Sequence, residues 1–265
     1  MGLFEFFKKG PSKTDDHQPV KEISAESTKN FLKDNAGLYP YEILMLSYFE
    51  KYADGKEPAR FWEREYGINN VYAVMDSLEK RGFASNGKLT ELGKNELNKN
   101  EYVLYIHRHK HFGITMSQMS ILVNRNPNKN YRDLIWGEFN KSLVLQMKNR
   151  QFGLYRNTKY AMYRFLLEEK KYEDAMRLLA EVFFYDLNGS DSPFIAKSLI
   201  NDLRELEIKI DYTEKKLVET LQSLFKKIYS PYKNYSINEV VSIIVSYCFG
   251  HDELAEKIIA KRKYR

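Results

Sequence analysis

Hydrophobic residues recur at helical spacing along most of the chain, and the first three such stripes lie close together between residues 39 and 82. The first begins at Tyr39-Pro40, where proline suits an opening helical turn, and the second ends at Gly67. The third has the i, i+3, i+4, i+7 spacing of a buried helix face, formed by Val71, Val74, Met75 and Leu78. Three short helices joined by tight turns predict a helix-turn-helix core.

A small β hairpin is predicted directly after these helices. Residues 83–85 and Lys88-Leu89 flank Asn86-Gly87, a dipeptide that readily adopts the positive φ angles of a two-residue type I′ turn. Thr90 is placed to cap a further helix that runs to Asn100. We therefore expect a β wing that leads straight into a helix.

The segment LTELGKNEL, which overlaps this hairpin, resembles the corresponding segment of winged-helix regulators. Many of these carry Leu-Thr-x-x-Gly-Lys-x-x-Leu after the third helix and a short strand-turn-strand, matched here by Leu89, Thr90, Gly93, Lys94 and Leu97. The resemblance covers residues 38 to 106 of 265. It implies a winged-helix fold, but winged helices bind DNA in some proteins and dock other proteins elsewhere.

Charge argues against insertion of this module into a DNA groove. Residues 37 to 100 contain nine basic and ten acidic residues, whereas a duplex-binding module usually has a basic footprint. The exposed face of the third helix offers Asn69, Asn70, Tyr72, Ala73 and Asp76. Because no cation follows until Lys80, this helix is a poor candidate for the major groove.

The stretch EYVLYIHRHKHF, residues 101–112, alternates histidine with basic residues. As a strand it would project His107, His109 and His111 from one face, and three imidazoles form a plausible zinc or iron set. The neighbouring cations Arg108 and Lys110 oppose a divalent ion, and no carboxylate lies nearby in sequence to orient the ligands. The default interpretation is a polycationic strand that faces solvent or phosphate.

Residues 101 to 160 hold ten basic and three acidic residues. Aromatic residues, among them Tyr131 and Trp136, are interspersed with these cations, so the stretch offers charge for phosphates and rings for stacking. The candidate nucleic-acid contacts are Lys88, Arg108, Lys110, Arg125, Lys129 and Arg132. The alternatives are an ordinary solvated helix face or a docking surface for an acidic protein.

Residues 156–189 predict two amphipathic helices joined at Glu169-Lys170-Lys171, which pack as an antiparallel hairpin. The phrase EEKKYEDAMRLLAEV within them resembles the second half of a tetratricopeptide repeat, although no second copy follows at 34-residue spacing. Further helices are expected at about 194–206, 213–228, 236–248 and 251–262. The overall layout also resembles uncharacterised proteins of Gram-positive bacteria and their phages, which implies no mechanism.

Three features of the sequence bear on the cellular location of the protein. The single cysteine, Cys248, cannot form an internal disulfide, which favours the cytoplasm. The longest apolar run, residues 240–249, is too short to span a bilayer. At the N-terminus, Phe4 and Phe7 with Lys8 and Lys9 are compatible with a weak membrane-surface contact.

No enzyme signature is present in the sequence. It contains no Gly-rich phosphate loop and no Gly-x-Ser-x-Gly elbow. Acidic pairs such as Asp202 and Glu205 are expected on exposed helix faces, where they would be solvated charge. We therefore expect no catalysis and no cofactor.

These observations predict a mainly α fold in four parts: a flexible segment 1–30, a winged-helix domain 31–112, a basic helical connector 113–155 and an α-helical hairpin domain 156–265. Two hypotheses follow for function. In one, a cytoplasmic DNA-associated regulator grips double-stranded DNA while the helical body forms a homodimer or binds a partner. In the other, the winged helix and the hairpins dock protein partners.

Overall fold

The fold is mainly helical with one small sheet. The computed structural model describes residues 33–34, 36–51, 59–109, 112–189, 195–229 and 234–263. These residues form thirteen helices and two strands: α1 Pro40–Lys51, α2 Ala59–Tyr66, α3 Val71–Lys80, β1 Ala84–Ser85, β2 Lys88–Leu89, α4 Glu91–Lys99, α5 Glu101–Arg108, α6 Met116–Arg125, α7 Tyr131–Lys148, α8 Phe152–Glu168, α9 Tyr172–Asn188, α10 Lys197–Ile210, α11 Glu214–Phe225, α12 Ile237–Cys248 and α13 Asp252–Lys263.

The three N-terminal helices form where the hydrophobic pattern places them. Helix α1 begins at Pro40, and Asn70 caps α3 by accepting a hydrogen bond from the backbone N–H of Ala73. Glu42 does more than favour the helix dipole. It is 6% exposed, and its carboxylate pairs with the guanidinium of Arg81 at 2.7 Å. This pair ties α1 to the C-terminus of α3.

The predicted hairpin is confirmed, including its turn. Strands β1 and β2 pair antiparallel, and both Asn86 and Gly87 have the positive φ angles of a type I′ turn. Thr90 caps α4 by accepting from the N–H of Gly93 at 3.2 Å, and its hydroxyl donates to the carbonyl of Gly82 at 2.6 Å. One threonine thus joins the hairpin to the helix that follows.

Gly93 allows α4 to lie against the start of the hairpin. A Cβ at this position would lie 2.0 Å from the carbonyl oxygen of Phe83. No side chain tolerates that distance, so glycine is required by close backbone approach. This close approach explains why the Leu-Thr-x-x-Gly-Lys motif has glycine at this position.

The strand predicted for the histidine stretch is wrong. Residues Glu101–Arg108 form the helix α5, which buries Tyr102, Val103, Tyr105 and Ile106. These positions follow the spacing of a helix face, and that apolar periodicity outweighs the alternation of histidine with cations. His107 and His109 are therefore not presented side by side on one face of a strand.

Helices α8 and α9 form the predicted antiparallel hairpin. The turn between them places Lys170 at φ 57°, in the left-handed region. Helix α8 begins at Phe152, so the expected boundary at residue 156 falls inside it. The described buried hydrophobic residues form one cluster that extends from Leu38 to Ala255, and the division into domains stays a prediction.

Helix α9 is the central element of the C-terminal half. It packs against α8, α10, α11 and α12, and it buries residues on nearly every side, including Leu179, Phe183 and Leu187. A charged face that includes Asp174 and Arg177 stays exposed, and the rest of the helix lies in the protein interior. At its end Asn188 is fully buried, and its side-chain oxygen accepts a hydrogen bond from the N–H of Tyr235 at 2.9 Å.

The remaining helices lie close to their predicted spans. Thr213 caps α11, and Ser236 with Glu239 forms a capping box at the start of α12. No described helix combines the length and apolar character that a bilayer-spanning segment needs. The predicted segment 1–30 with Phe4 and Phe7 and the candidates Lys110 and His111 lie outside the described residues.

Candidate functional site

A groove of about 630 Å³ opens between α7, α8 and α9 and is the candidate functional site. Helix α7 forms one wall, α9 forms the other, the C-terminal half of α8 forms the floor, and Leu224 of α11 closes one side. The charged and aromatic residues of its lining are Arg132, Asp133, Trp136, Phe165, Glu169, Lys171, Asp174, Arg177 and Glu181.

The floor of the groove is aromatic. Trp136 and Phe165 have ring centroids 5.8 Å apart. Behind them, Phe165 also contacts Phe112 at 5.9 Å and Phe139 at 6.0 Å. Because these rings support each other from three sides, the apolar floor is held in place before any ligand binds.

Arg132 sits at one end of the groove and is held by two carboxylates. Its Nε donates to Glu169 at 2.9 Å, and its Nη2 lies 3.5 Å from Glu101. The guanidinium also lies over the ring of Tyr131 at 4.8 Å and over that of Tyr105 at 5.6 Å. These contacts fix α7 against the α8–α9 turn and leave Arg132 little freedom to reach a phosphate.

Two tyrosines beside Arg132 are held in the neutral form. Burial raises the pKa of Tyr105 above its ordinary value, and the negative charge of Glu169 adds to the effect. Burial likewise raises the pKa of Tyr131, assisted by the nearby Glu101. The hydroxyl of Tyr105 is buried and has no hydrogen-bond partner among the described residues. The region behind Arg132 is therefore aromatic and largely buried.

The α9 wall carries charges of both signs. Arg177 pairs with Asp174 at 3.5 Å, and both side chains are about half exposed. Deeper in, Glu181 pairs with Lys159 at 2.8 Å. Lys171 at the start of α9 and Asp133 on α7 are exposed and form no ion pair within the described part of the chain. These two side chains are the free charges of opposite sign at the rim.

The fold disperses most of the predicted nucleic-acid contacts. Arg125 and Lys129 are exposed near the loop between α6 and α7, and Lys88 is exposed on the hairpin. Arg108 is exposed at the end of α5, where its Nε donates to the carbonyl of Leu104 at 3.3 Å. Of the candidates that the structure describes, only Arg132 lines the groove.

The positive charge counted between residues 101 and 160 is partly cancelled by carboxylates that follow in the chain. Arg156 forms a two-point contact with Asp186, with distances of 2.8 and 2.6 Å. Lys159 is paired with Glu181, and Arg132 is paired with Glu169. Three cations of this stretch are therefore engaged inside the fold.

The remaining exposed cations include residues at both ends of α7. Lys129 precedes α7, whereas Lys148 ends it and Arg150 follows. A helix of 18 residues is about 27 Å long. One segment of DNA backbone would have to span this length to contact the cations at both ends of α7.

The histidines are dispersed in the same way. His109 stacks on Phe112 with centroids 5.0 Å apart, and its Nδ1 lies 3.9 Å from a carboxylate oxygen of Glu168. His107 is half-buried on α5. Among the described residues, no three His, Cys, Asp or Glu side chains converge in a way that would hold a metal ion.

Asp202, which the sequence places on an exposed helix face, is half-buried. Tyr163 and Tyr160 of α8 hydrogen-bond to its carboxylate, and burial raises its pKa. This cluster joins α8 to α10 and accounts for the two tyrosine hydroxyls structurally.

Sequence reasoning missed several groove residues because the groove forms only where α7, α8 and α9 meet. Glu169, Asp174 and Arg177 look like solvated charges of an ordinary amphipathic helix. The available signal was the loop-adjacent Trp136, whose ring faces the same floor as Phe165. Comparison of the chain with protein-family models, with curated proteins and with solved structures finds no match.

Proposed function

We propose that this chain is a non-enzymatic protein-docking module whose groove binds a peptide segment of a partner protein. The observation that carries the proposal is the combination of an aromatic floor, Trp136 and Phe165, with free charges of opposite sign at the rim, Lys171 and Asp133. Such a site suits a segment that inserts an apolar side chain and carries both an acidic and a basic residue.

Charge distribution favours a peptide over a nucleic acid at this groove. Its lining includes the carboxylates Glu169, Asp174, Glu181 and Asp133, which would repel a phosphate backbone. The cations of the lining are partly engaged by these same groups, since Arg132 pairs with Glu169 and Arg177 pairs with Asp174. A polyanion therefore finds little unopposed positive charge here.

We also propose that the N-terminal helices and hairpin are a winged-helix module that takes part in docking. The order of three helices, hairpin and helix supports this, as does the close approach at Gly93. Tyr72 on α3 is 66% exposed and is surrounded on its face by neutral or acidic residues, which suits a protein partner better than DNA.

Selection of peptides from a phage-displayed random library against the folded chain tests the groove. We expect enrichment of peptides with one apolar residue between charges of both signs. Their binding should weaken at least about tenfold in Lys171→Glu and in Asp133→Lys, and stay unchanged in Lys215→Glu, an exposed lysine of α11. Failure to enrich any peptide, or binding that is indifferent to both groove variants, would reject the proposal.

A second candidate function is a DNA-associated regulator, which is supported by the exposure of Arg125 and Lys129 on the α6–α7 loop. Fluorescence anisotropy with a random duplex across a salt series tests it. The variant Arg125→Glu/Lys129→Glu is preferable to one that includes Arg132, because loss of Arg132 would leave Glu169 without its partner. Salt-sensitive binding that the double variant abolishes would favour the regulator.

A further inference from the structure

The outward face of α7 carries an apolar stripe bordered by cations, away from the groove. We name this surface the α7 corner; it consists of Lys141, Val144, Leu145, Lys148, Arg150 and Leu154. Val144 is 71% exposed, Leu145 is 57% exposed, and Leu154 in the first turn of α8 is 51% exposed. Exposed aliphatic residues that are grouped in this way usually mark an interaction surface.

Helix geometry places four of these residues on one face. Lys141, Val144, Leu145 and Lys148 follow the i, i+3, i+4, i+7 spacing, so they form a continuous stripe. The buried residues Phe139 and Leu143 belong to the opposite face, which packs toward α8. The stripe is therefore a second apolar face that the described fold does not cover.

The charge of the α7 corner is positive. Lys141 pairs with Glu138 at 2.6 Å, whereas Lys148 and Arg150 form no ion pair within the described residues. No carboxylate and no aromatic ring lies on the stripe itself. Aromatic residues anchor most tight protein interfaces. Their absence from the stripe favours a partner into which aliphatic side chains insert.

Arg150 is placed by a turn that normally takes glycine. Its φ is 56°, and the turn is closed by a hydrogen bond from the N–H of Gln151 to the carbonyl of Gln146 at 2.8 Å. This is a Schellman-type helix end, in which glycine is preferred at the left-handed position. Arginine is less favourable than glycine in this backbone conformation. It places a guanidinium just beyond the Lys148 end of the stripe.

We infer that the α7 corner binds the surface of an anionic lipid bilayer. Val144, Leu145 and Leu154 would enter the boundary between headgroups and acyl chains, and Lys148 and Arg150 would contact headgroup phosphates. The N-terminal sequence, with Phe4, Phe7 and the following lysines, has the same chemistry. Two weak elements on one chain bind a membrane far better than either alone. The inference is independent of the peptide groove.

Co-sedimentation of the full chain with lipid vesicles tests it. Vesicles of phosphatidylcholine alone are compared with vesicles that also contain phosphatidylglycerol, at low and at physiological salt. We expect binding to the anionic vesicles only, and a partition coefficient that falls about tenfold or more in Lys148→Gln/Arg150→Gly and in Val144→Ser/Leu145→Ser.

The variants separate lost contact from lost folding. Arg150→Gly suits the left-handed turn and should preserve or raise stability. The matched controls are Lys215→Gln and Ile208→Ser, since Ile208 is 75% exposed on α10, and both should bind as the unaltered chain does.

Three outcomes would overturn the inference. They are absence of binding to anionic vesicles at low salt, equal binding to neutral vesicles, and binding that the corner variants leave intact while Phe4→Ser/Phe7→Ser removes it. Self-association that is lost in the corner variants, without vesicle binding, would assign the surface to a second copy of the chain.

Discussion

Lys159 of α8 and Glu181 of α9 form an ion pair of 2.8 Å in which each side chain is only 12% exposed. The Nζ atom of Lys159 also lies 5.5 Å from the ring centre of Tyr155. The pair therefore joins the two helices of the central hairpin at a point that water hardly reaches. A charge in such a place depends on its partner.

Removing one member of this pair should destabilise the chain far more than removing both. We expect Lys159→Met or Glu181→Leu to lower the free energy of unfolding by about 3–5 kcal/mol, because each leaves an uncompensated buried charge. The double variant Lys159→Met/Glu181→Leu should lose much less. Urea unfolding followed by circular dichroism measures all three, and strictly additive single effects would contradict this account.

The exposed pair Arg177–Asp174 supplies the control. Its side chains are 50% and 59% exposed and 3.5 Å apart. Because solvent screens such pairs, Arg177→Ala should change the free energy of unfolding by less than about 1 kcal/mol.

Gly93→Ala should destabilise the hairpin and α4. The new Cβ would lie 2.0 Å from the carbonyl oxygen of Phe83, so backbone must move, at a cost of about 1–3 kcal/mol or more. Gly137→Ala on α7 is the matched control, since its Cβ would meet nothing within 4 Å, and it should gain about 0.5–1 kcal/mol. Thermal unfolding of both variants measures the two changes in stability. Equal changes would contradict the close-approach explanation.

Cys248 should be unreactive while the chain is folded. Burial raises the pKa of its thiol to about 12, so at pH 8 the nucleophilic thiolate is scarce and also shielded from reagent. A thiol-specific chromogenic reagent should titrate no thiol in native buffer and one thiol per chain in denaturant. Rapid modification in native buffer would contradict the burial of Cys248.

Stability should fall at alkaline pH. Burial raises the pKa of Tyr41 from 10.0 to about 12, and burial also raises the pKa values of Tyr102, Tyr163 and Tyr185. Because the folded-state values lie above the unfolded one, their contribution is full below pH 10 and is lost as the pH rises through the folded values. Urea unfolding between about pH 9 and about pH 12 should show this decline, and a flat profile would contradict it.

Local chemistry predicted the parts of the fold that depend on neighbouring residues. Asn86-Gly87 specifies its turn by backbone preference alone, and Ser236 with Glu239 specifies a helix start. The histidine stretch was misassigned because the alternation of charges was given more weight than the helical spacing of Tyr102, Val103 and Ile106. Apolar burial, not charge pattern, decides such segments.

The groove was beyond sequence reasoning for a different reason. It depends on which helices become neighbours, and no local pattern states that Arg132 meets Glu169 or that Arg156 meets Asp186. Counting charges along the chain therefore overstated the basic character of residues 101–160. Arg125 and Lys129 are exposed, as expected of cations at a polar turn, but their role in nucleic-acid binding stays a prediction.

The engagement of Arg132, Arg156 and Lys159 by later carboxylates also matters during synthesis. These cations emerge from the ribosome before Glu169, Glu181 and Asp186, so all three lack these partners until the α8–α9 hairpin has been synthesised. A polyanion such as heparin or RNA should bind this unfinished or unfolded chain more tightly than the native one. Formation of the α8–α9 hairpin should therefore weaken nonspecific binding of anions to these three cations.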